Sequence, residues 1–232
     1  MKVCVIGAGA IGSLLAAHLA KVADVSVLTR RDDHAQALNE HGLRVSGRHD
    51  FTARITAVAE PSELSEFDLG IIATKATGVT GAAASLRGRF PGATIMTVQN
   101  GLGAEETVRA QGGWPLVSAV TFMSGTKHSD THVEYILDTP TWLGPYEGSS
   151  YKRVQEIAQL LLDAGLEAEA LPDLRPAQWS KLVFNATVNG VSALTGLPHD
   201  AHFAAEAEPS DLGHLVHDLV DEGKRVDRKS VV

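Results

Sequence analysis

Lys2-Val-Cys-Val-Ile6-Gly7-Ala8-Gly9-Ala10-Ile11-Gly12-Ser-Leu-Leu-Ala-Ala-His-Leu-Ala20 is the stretch that decides the fold. Val3 to Ile6 is a short apolar, mostly β-branched run that reads as a buried strand, and the residues after Gly12 read as an apolar helix. Between the two lie three glycines with distinct physical uses. Gly7 permits a tight turn, Gly9 lets the backbone approach a pyrophosphate, and Gly12 allows close packing of the helix. The first amides of that helix and the positive end of its dipole suit phosphate groups. A glycine turn that merely joins strand to helix has the same composition, but a position directly after a strand and at a helix start is the context that a dinucleotide fingerprint requires.

Working outward, Val25 to Leu28, Leu69 to Thr74, Thr94 to Val98 and Leu116 to Phe122 read as further buried strands, with helix-like or loop segments between most of them. This alternation predicts an α/β fold, a doubly wound Rossmann-type sheet with helices on both faces. Thr131 to Gly144 changes to strand-like pieces with turn residues, expected to continue the sheet antiparallel. Tyr151 to Ala164 places Val154, Ile157, Ala158, Leu161 and Leu162 at amphipathic spacing before Gly165. Beyond Leu171-Pro172-Asp173 the composition is helical throughout, so the expected domains are 1–172, binding a dinucleotide, and 173–232, all-helical. Asp173 is placed to cap the next helix, Pro176 is tolerated in its first turn, and Gly196 and Pro198 stop it. A last helix, roughly Ser210 to Asp227, carries Leu212, Leu215, Val216, Leu219 and Val220 on one face.

Composition narrows the function. The 232 residues are 44% hydrophobic and 21% charged, enough for a sizeable core and incompatible with a collagenous, disordered or small disulfide-framed chain. A net charge of −8 repels phosphate backbones and anionic membranes, so neither nucleic acid nor a membrane surface is an expected partner. The single cysteine, Cys4, sits in an apolar run without a CxxC partner, which excludes a disulfide or cysteine-based metal site within one chain and fits a reducing compartment. With no stretch of roughly 18 apolar residues and no basic leader before the first strand, the expected location is the cytoplasm.

Several residues are placed to carry chemistry. Where an NAD enzyme puts an acidic residue after the second strand, this chain reads Thr29-Arg30-Arg31, which suits the 2′-phosphate of NADP. Asp32 and Asp33 follow and either repel that phosphate or hold a hydroxyl; a solvated loop is the plain alternative. Lys75 follows a strand end, where open α/β sheets bind ligands, although loop lysines are common. Asn100, in Gln99-Asn100-Gly101-Leu102-Gly103, offers an amide to a nicotinamide or a substrate, unless the Asn-Gly pair is only a turn. In Trp179-Ser-Lys181-Leu-Val-Phe-Asn185-Ala-Thr-Val-Asn189, spacing of four puts Lys181, Asn185 and Asn189 in one stripe beside an apolar stripe of Trp179, Leu182, Val183 and Ala186. Asparagine is a poor helix former, so two beside a lysine need a reason beyond propensity, solvated surface being the bland one. His199 with His202, and His214 with His217, have helical spacing but no accompanying carboxylate set, and no metal is expected. The charged residues between Asp218 and Lys229 read as a solvated face.

On these segments the chain resembles the ketopantoate reductase family: the glycine motif, the arginine after the second strand, Lys75, Gln99 to Gly103 with Glu105-Glu106, and Trp179 to Asn189. The resemblance implies reduction of 2-dehydropantoate to pantoate with NADPH, on the route to pantothenate and coenzyme A. It implies Lys181 as proton donor, Asn100 at cofactor and substrate, Asn185 and Asn189 on the substrate, and a small 2-keto acid as partner. Two departures accompany it. His199 stands after Pro198 where the family has an asparagine, and the family's helical domain continues for several more helices bearing a carboxylate and a serine of the substrate site. Two helices of about 60 residues are marginal alone, so the helical segment is expected to be truncated or completed by another subunit, as in a homodimer. A reductase of another branched 2-keto acid, and a catalytically silent NADP-binding redox sensor, are the alternatives.

Overall fold

In the computed structural model, which describes residues 1–198 and 211–229, the opening stretch forms strand β1 (Lys2–Ile6) and helix α1 (Ala10–Leu19). The chain continues through β2 (Asp24–Leu28), α2 (Asp32–His41), β3 (Leu43–Gly47), β4 (Phe51–Ala53), β5 (Thr56–Val58) and β6 (Leu69–Ile72). Then come α3 (Val79–Ser85), β7 (Thr94–Thr97), α4 (Ala104–Arg109), β8 (Leu116–Thr121), β9 (Ser124–Ser129), β10 (His132–Leu137), β11 (Thr141–Pro145), α5 (Tyr151–Asp163) and β12 (Ala168–Ala170). Helices α6 (Arg175–Thr195) and α7 (Asp211–Lys229) follow. The chain divides into two compact units, Met1–Leu174 and Arg175–Val232.

The first unit is built on an eight-stranded sheet of order β12-β11-β8-β7-β6-β1-β2-β5. From β5 to β8 every neighbouring pair is parallel, with Val5 of β1 opposite Val27 of β2 and Ile71 of β6. The chain leaves β1 toward β2 and β5, then returns across the sheet to β6, so the strand order reverses between β1 and β6. That reversal opens a crevice at the carboxyl ends of the strands, where doubly wound sheets take ligands. Successive β1 side chains point to opposite faces: Val3 and Val5 join one core, Cys4 and Ile6 the other. Both faces are therefore covered, which explains an uninterrupted apolar run in place of an alternating one.

The segment after β8 departs from its expected course. Of β9, β10 and β11, only β11 joins the main sheet, antiparallel to β8 with Leu143 opposite Ala119. Strands β9 and β10 join β3 and β4 in a separate four-stranded sheet of order β4-β3-β10-β9. This small sheet lies over α1: the His18 ring is 5.1 Å from Phe51 of β4 and 5.6 Å from Tyr135 of β10. Gly125 of β9 has no room for a side chain, since a Cβ there would lie 2.9 Å from Leu14 Cδ1. Enclosed between two sheets, α1 is buried at every residue from Gly12 to Leu19, and its sequence is accordingly apolar around its circumference.

In the second unit, Gly223 of α7 meets α6 at Val183, where a Cβ would come within 2.7 Å of Val183 Cγ2. Helix α6 begins at Arg175, two residues after Asp173, and buries Thr187, Val188 and Val191. The expected apolar stripe is thus shifted along the helix: Trp179, Leu182 and Val183 are half-buried and Ala186 is exposed. On α7, Val216 is buried and Leu215 exposed. Among the described residues no helix is long and apolar enough to cross a membrane.

A Cβ at Gly12 would sit 2.0 Å from Gly7 O, so Gly12→Ala must push α1 off the turn. The expected cost is about 3 kcal/mol, a fall of roughly 6–12 °C in the circular-dichroism melting temperature; an unchanged melting temperature would refute the close approach. Burial pushes the Cys4 thiol up to about 12, so a thiol reagent at mildly alkaline pH is expected to titrate no cysteine in the native protein and one after denaturation.

Candidate active site

The glycine turn is fixed from three sides. Gly7 has φ +106°, its N–H donates to Leu28 O at 2.9 Å, and a Cβ on it would lie 3.0 Å from Thr74 Cγ2. Gly9 is different: it has ordinary φ, and nothing lies within 4 Å of where its Cβ would be. It caps α1 without a side chain, and the first helical hydrogen bond runs from Ser13 N to Gly9 O at 2.8 Å. The amides of Ala10, Ile11 and Gly12 are left without intrahelical acceptors. Open space over Gly9 beside three such amides and a helix dipole is a cradle that fits a pyrophosphate.

Two more loops join this turn along the carboxyl edge of the sheet. Lys75 stands exposed after β6, beside the Thr74 that touches Gly7. From the loop after β7, Gln99 Nε2 donates to Ile72 O at 2.7 Å and Thr74 O at 3.0 Å, tying the two loops together. That loop is held at its far end by Glu105, buried in the first turn of α4, which accepts a hydrogen bond from Thr97 Oγ1 at 2.9 Å and another from Ser118 Oγ. Asn100 is exposed between these anchors, and Gly101 and Gly103, at φ +90° and +94°, make the sharp return that places it there. Gln99 Oε1 and Thr74 Oγ1 are buried without a hydrogen-bond partner among the described residues, a polar surplus of the kind that a polar ligand satisfies.

At the end of β2, Thr29 Oγ1 donates to Arg31 O at 2.9 Å and fixes the turn into α2. Arg30 is exposed and forms no ion pair among the described residues, whereas Arg31 is engaged by Asp33 at 2.9 Å and by Asp130. A residue that sequence reasoning missed completes this corner: Lys127 of β9 donates to Ala8 O of the glycine turn at 3.0 Å, across 119 residues. No local pattern marks it, because its position follows from the small sheet folding over α1.

Helix α6 carries Lys181, Asn185 and Asn189 one turn apart, as the spacing predicts. Asn189 Nδ2 lies 3.4 Å from Asn185 Oδ1, linking the two amides. Lys181 is half-buried, and loss of hydration lowers its ammonium pKa to about 8. Between α6 and α7, Trp179, Val183, Phe184, Val188 and Val220 line a groove of about 420 Å³. On α7, His214 is exposed and His217 lies 3.7 Å from Asp221, while His199 and His202 fall outside the described residues.

Residues 3–148 match the family model described as ketopantoate reductase PanE/ApbA, and residues 173–230 match that family's C-terminal model. The 2-dehydropantoate 2-reductase of Pyrococcus abyssi is 28% identical over 194 residues, a match covering 84% of this chain and 64% of the relative. The chain thus spans a little under two thirds of that curated relative's length. A crystal structure of a PanE/ApbA family ketopantoate reductase from Ralstonia eutropha superposes with a TM-score of 0.86 at 26% identity, covering 100% of this chain and 76% of the other. The complex of D-mandelate dehydrogenase with NADH, at 20% identity and a TM-score of 0.84, covers 100% of this chain and 74% of its own and shares the fold. Matched in its sheet-bearing and its helical segments by two models of one family, the chain belongs to the ketopantoate reductase PanE/ApbA family.

Proposed function

We propose that this chain reduces 2-dehydropantoate (ketopantoate) to pantoate with NADPH, the step its family supplies to pantothenate and coenzyme A synthesis. The observation that carries this reading is Lys181, a half-buried ammonium with a pKa near 8, set one helical turn from the first of two linked asparagines.

A nicotinamide cofactor, when bound, supplies hydride from C4 of its ring to a ketone carbon. The amides of Ala10, Ile11 and Gly12 hold the pyrophosphate in the open cradle at Gly9, and Arg30 offers an exposed guanidinium to the 2′-phosphate. Asn100 presents an amide able to donate and accept at once, and Lys75 offsets negative charge at the same edge of the sheet. Lys181 Nζ stabilises the ketone oxygen as it turns toward alkoxide, then transfers a proton to it. An ammonium whose pKa lies near 8 is still largely protonated at neutral pH and releases its proton more readily than an ordinary lysine. Asn185 and Asn189 supply amide donors to the hydroxyl and carboxylate of the acid without adding charge.

Loss of NADPH absorbance with ketopantoate and a panel of other branched 2-keto acids, beside NADPH binding by fluorescence, tests the reading. Selective turnover of ketopantoate supports it. Preferential turnover of another acid reassigns the substrate, and binding without turnover refutes the enzymatic role. Lys181→Ala is expected to lower kcat by about 10²–10⁴ while changing the NADPH dissociation constant less than about twofold. The sign of the pH dependence follows from the donor: protonated Lys181 is the active form, so kcat falls as pH rises through about 8. Gly9→Ala has room for its methyl and is expected to keep the fold yet weaken NADPH binding roughly tenfold, because the methyl occupies the phosphate's approach.

A further inference from the structure

The corner where Lys127 meets the glycine turn contains an anion of the protein's own. Asp130, in the turn between β9 and β10, accepts from Lys127 Nζ at 3.1 Å and from Arg31, the residue that precedes α2. Arg31 is also held by Asp33, and Lys127 by Ala8 O at 3.0 Å. His34, buried at the start of α2, places Nε2 2.9 Å from the backbone carbonyl of Asp130. A carbonyl only accepts, so Nε2 bears the hydrogen. Lys127 Nζ at 3.4 Å from that nitrogen is therefore a repulsive neighbour and no hydrogen-bond partner. Burial first, and Lys127 second, push the His34 pKa down, so this histidine is neutral and adds no positive charge.

The charges at this corner then balance: Arg31 and Lys127 are positive, Asp33 and Asp130 negative. Two cations pointing at one carboxylate, beside the turn that receives a pyrophosphate, are the donor set that a phosphate monoester would otherwise take. We propose that Asp130 is a specificity-determining residue for the adenosine end of the cofactor, engaging Arg31 and Lys127 so that a 2′-phosphate gains less over a 2′-hydroxyl than the tandem arginines alone would give. The proposal rests on the reading of the glycine turn as a dinucleotide site. Under it, Arg30 is the guanidinium left exposed for the phosphate, and the carboxylate of Asp130 is a charge that opposes the 2′-phosphate of NADP, a group NAD lacks.

The test is equilibrium binding of NADP⁺ and of NAD⁺ by calorimetry, which needs no substrate and no turnover. Asp130→Asn keeps the shape and removes the charge. NADP⁺ is expected to bind about five- to tenfold more tightly, the scale of one charge removed beside a dianion at a solvent-exposed site, with NAD⁺ changing less than about twofold. The gain should also steepen the salt dependence of NADP⁺ binding, shrink when Arg31→Gln is added and vanish only when Lys127→Gln is added as well. Asp130→Ser, smaller in the same turn, carries the same expectation should the asparagine disturb folding. An unchanged NADP⁺ to NAD⁺ ratio, or weaker NADP⁺ binding, overturns the role of Asp130 and leaves the dinucleotide site standing. If the wild-type protein binds neither dinucleotide, the site itself is refuted, and the role of Asp130 falls with it.

Discussion

The first unit depends on one backbone contact, the close approach of Gly12 to the carbonyl of Gly7. It sets α1 directly on the turn after β1, which brings the amino end of the helix over the crevice where the strand order reverses. Because α1 is enclosed by the main sheet and the small sheet, the same contact organises both layers. Its consequences reach the far end of the helix. His18 there is fully buried, with Nδ1 3.2 Å from Ala164 O, and burial lowers its pKa to about 4, so it serves the core as a neutral ring.

Charge is distributed against the chain's overall sign. At −8 the protein repels anions in general, yet Arg30, Arg31, Lys75 and Lys127 all lie near the carboxyl edge of β1, β2 and β6 or on the turn it bears. A local cationic patch on an acidic protein favours a small anionic ligand there while discouraging polyanions elsewhere. The patch is not built from a run of basic residues. Its members come from the loop after β2, the loop after β6 and the second sheet, and Asp33 and Asp130 temper it.

Helix α6 carries polar residues that local helix preference alone does not explain. Asparagine costs a few tenths of a kcal/mol relative to better helix formers, and Asn185 and Asn189 sit in the helix interior with a half-buried lysine one turn before them. Burial of Val188 and Val191 and the tight contact of Gly223 with Val183 supply the packing that offsets it. Local rules broken at one place while packing is satisfied nearby are the usual mark of a functional surface.

Much of this was legible in the chain itself. Strand, glycine turn and helix could be read from residues 2–20 because turn, backbone approach and helix packing each require glycine at a fixed position. The parallel strands showed as apolar runs because both faces of the sheet are covered, and the Lys181-Asn185-Asn189 stripe followed from helical periodicity alone. The small sheet was missed, although Leu43 and Val45, then Phe51, Ala53 and Ile55, alternate in the manner of strands. Its strands come from two segments far apart in sequence, and pairing at that range leaves no local trace. Tertiary structure alone decided that Arg31 is occupied, that Lys127 supports the glycine turn and that Asp130 stands between them. An ion pair depends on distance in space, and residues 31, 127 and 130 become neighbours only after α1 has been covered by a sheet that its own sequence does not specify.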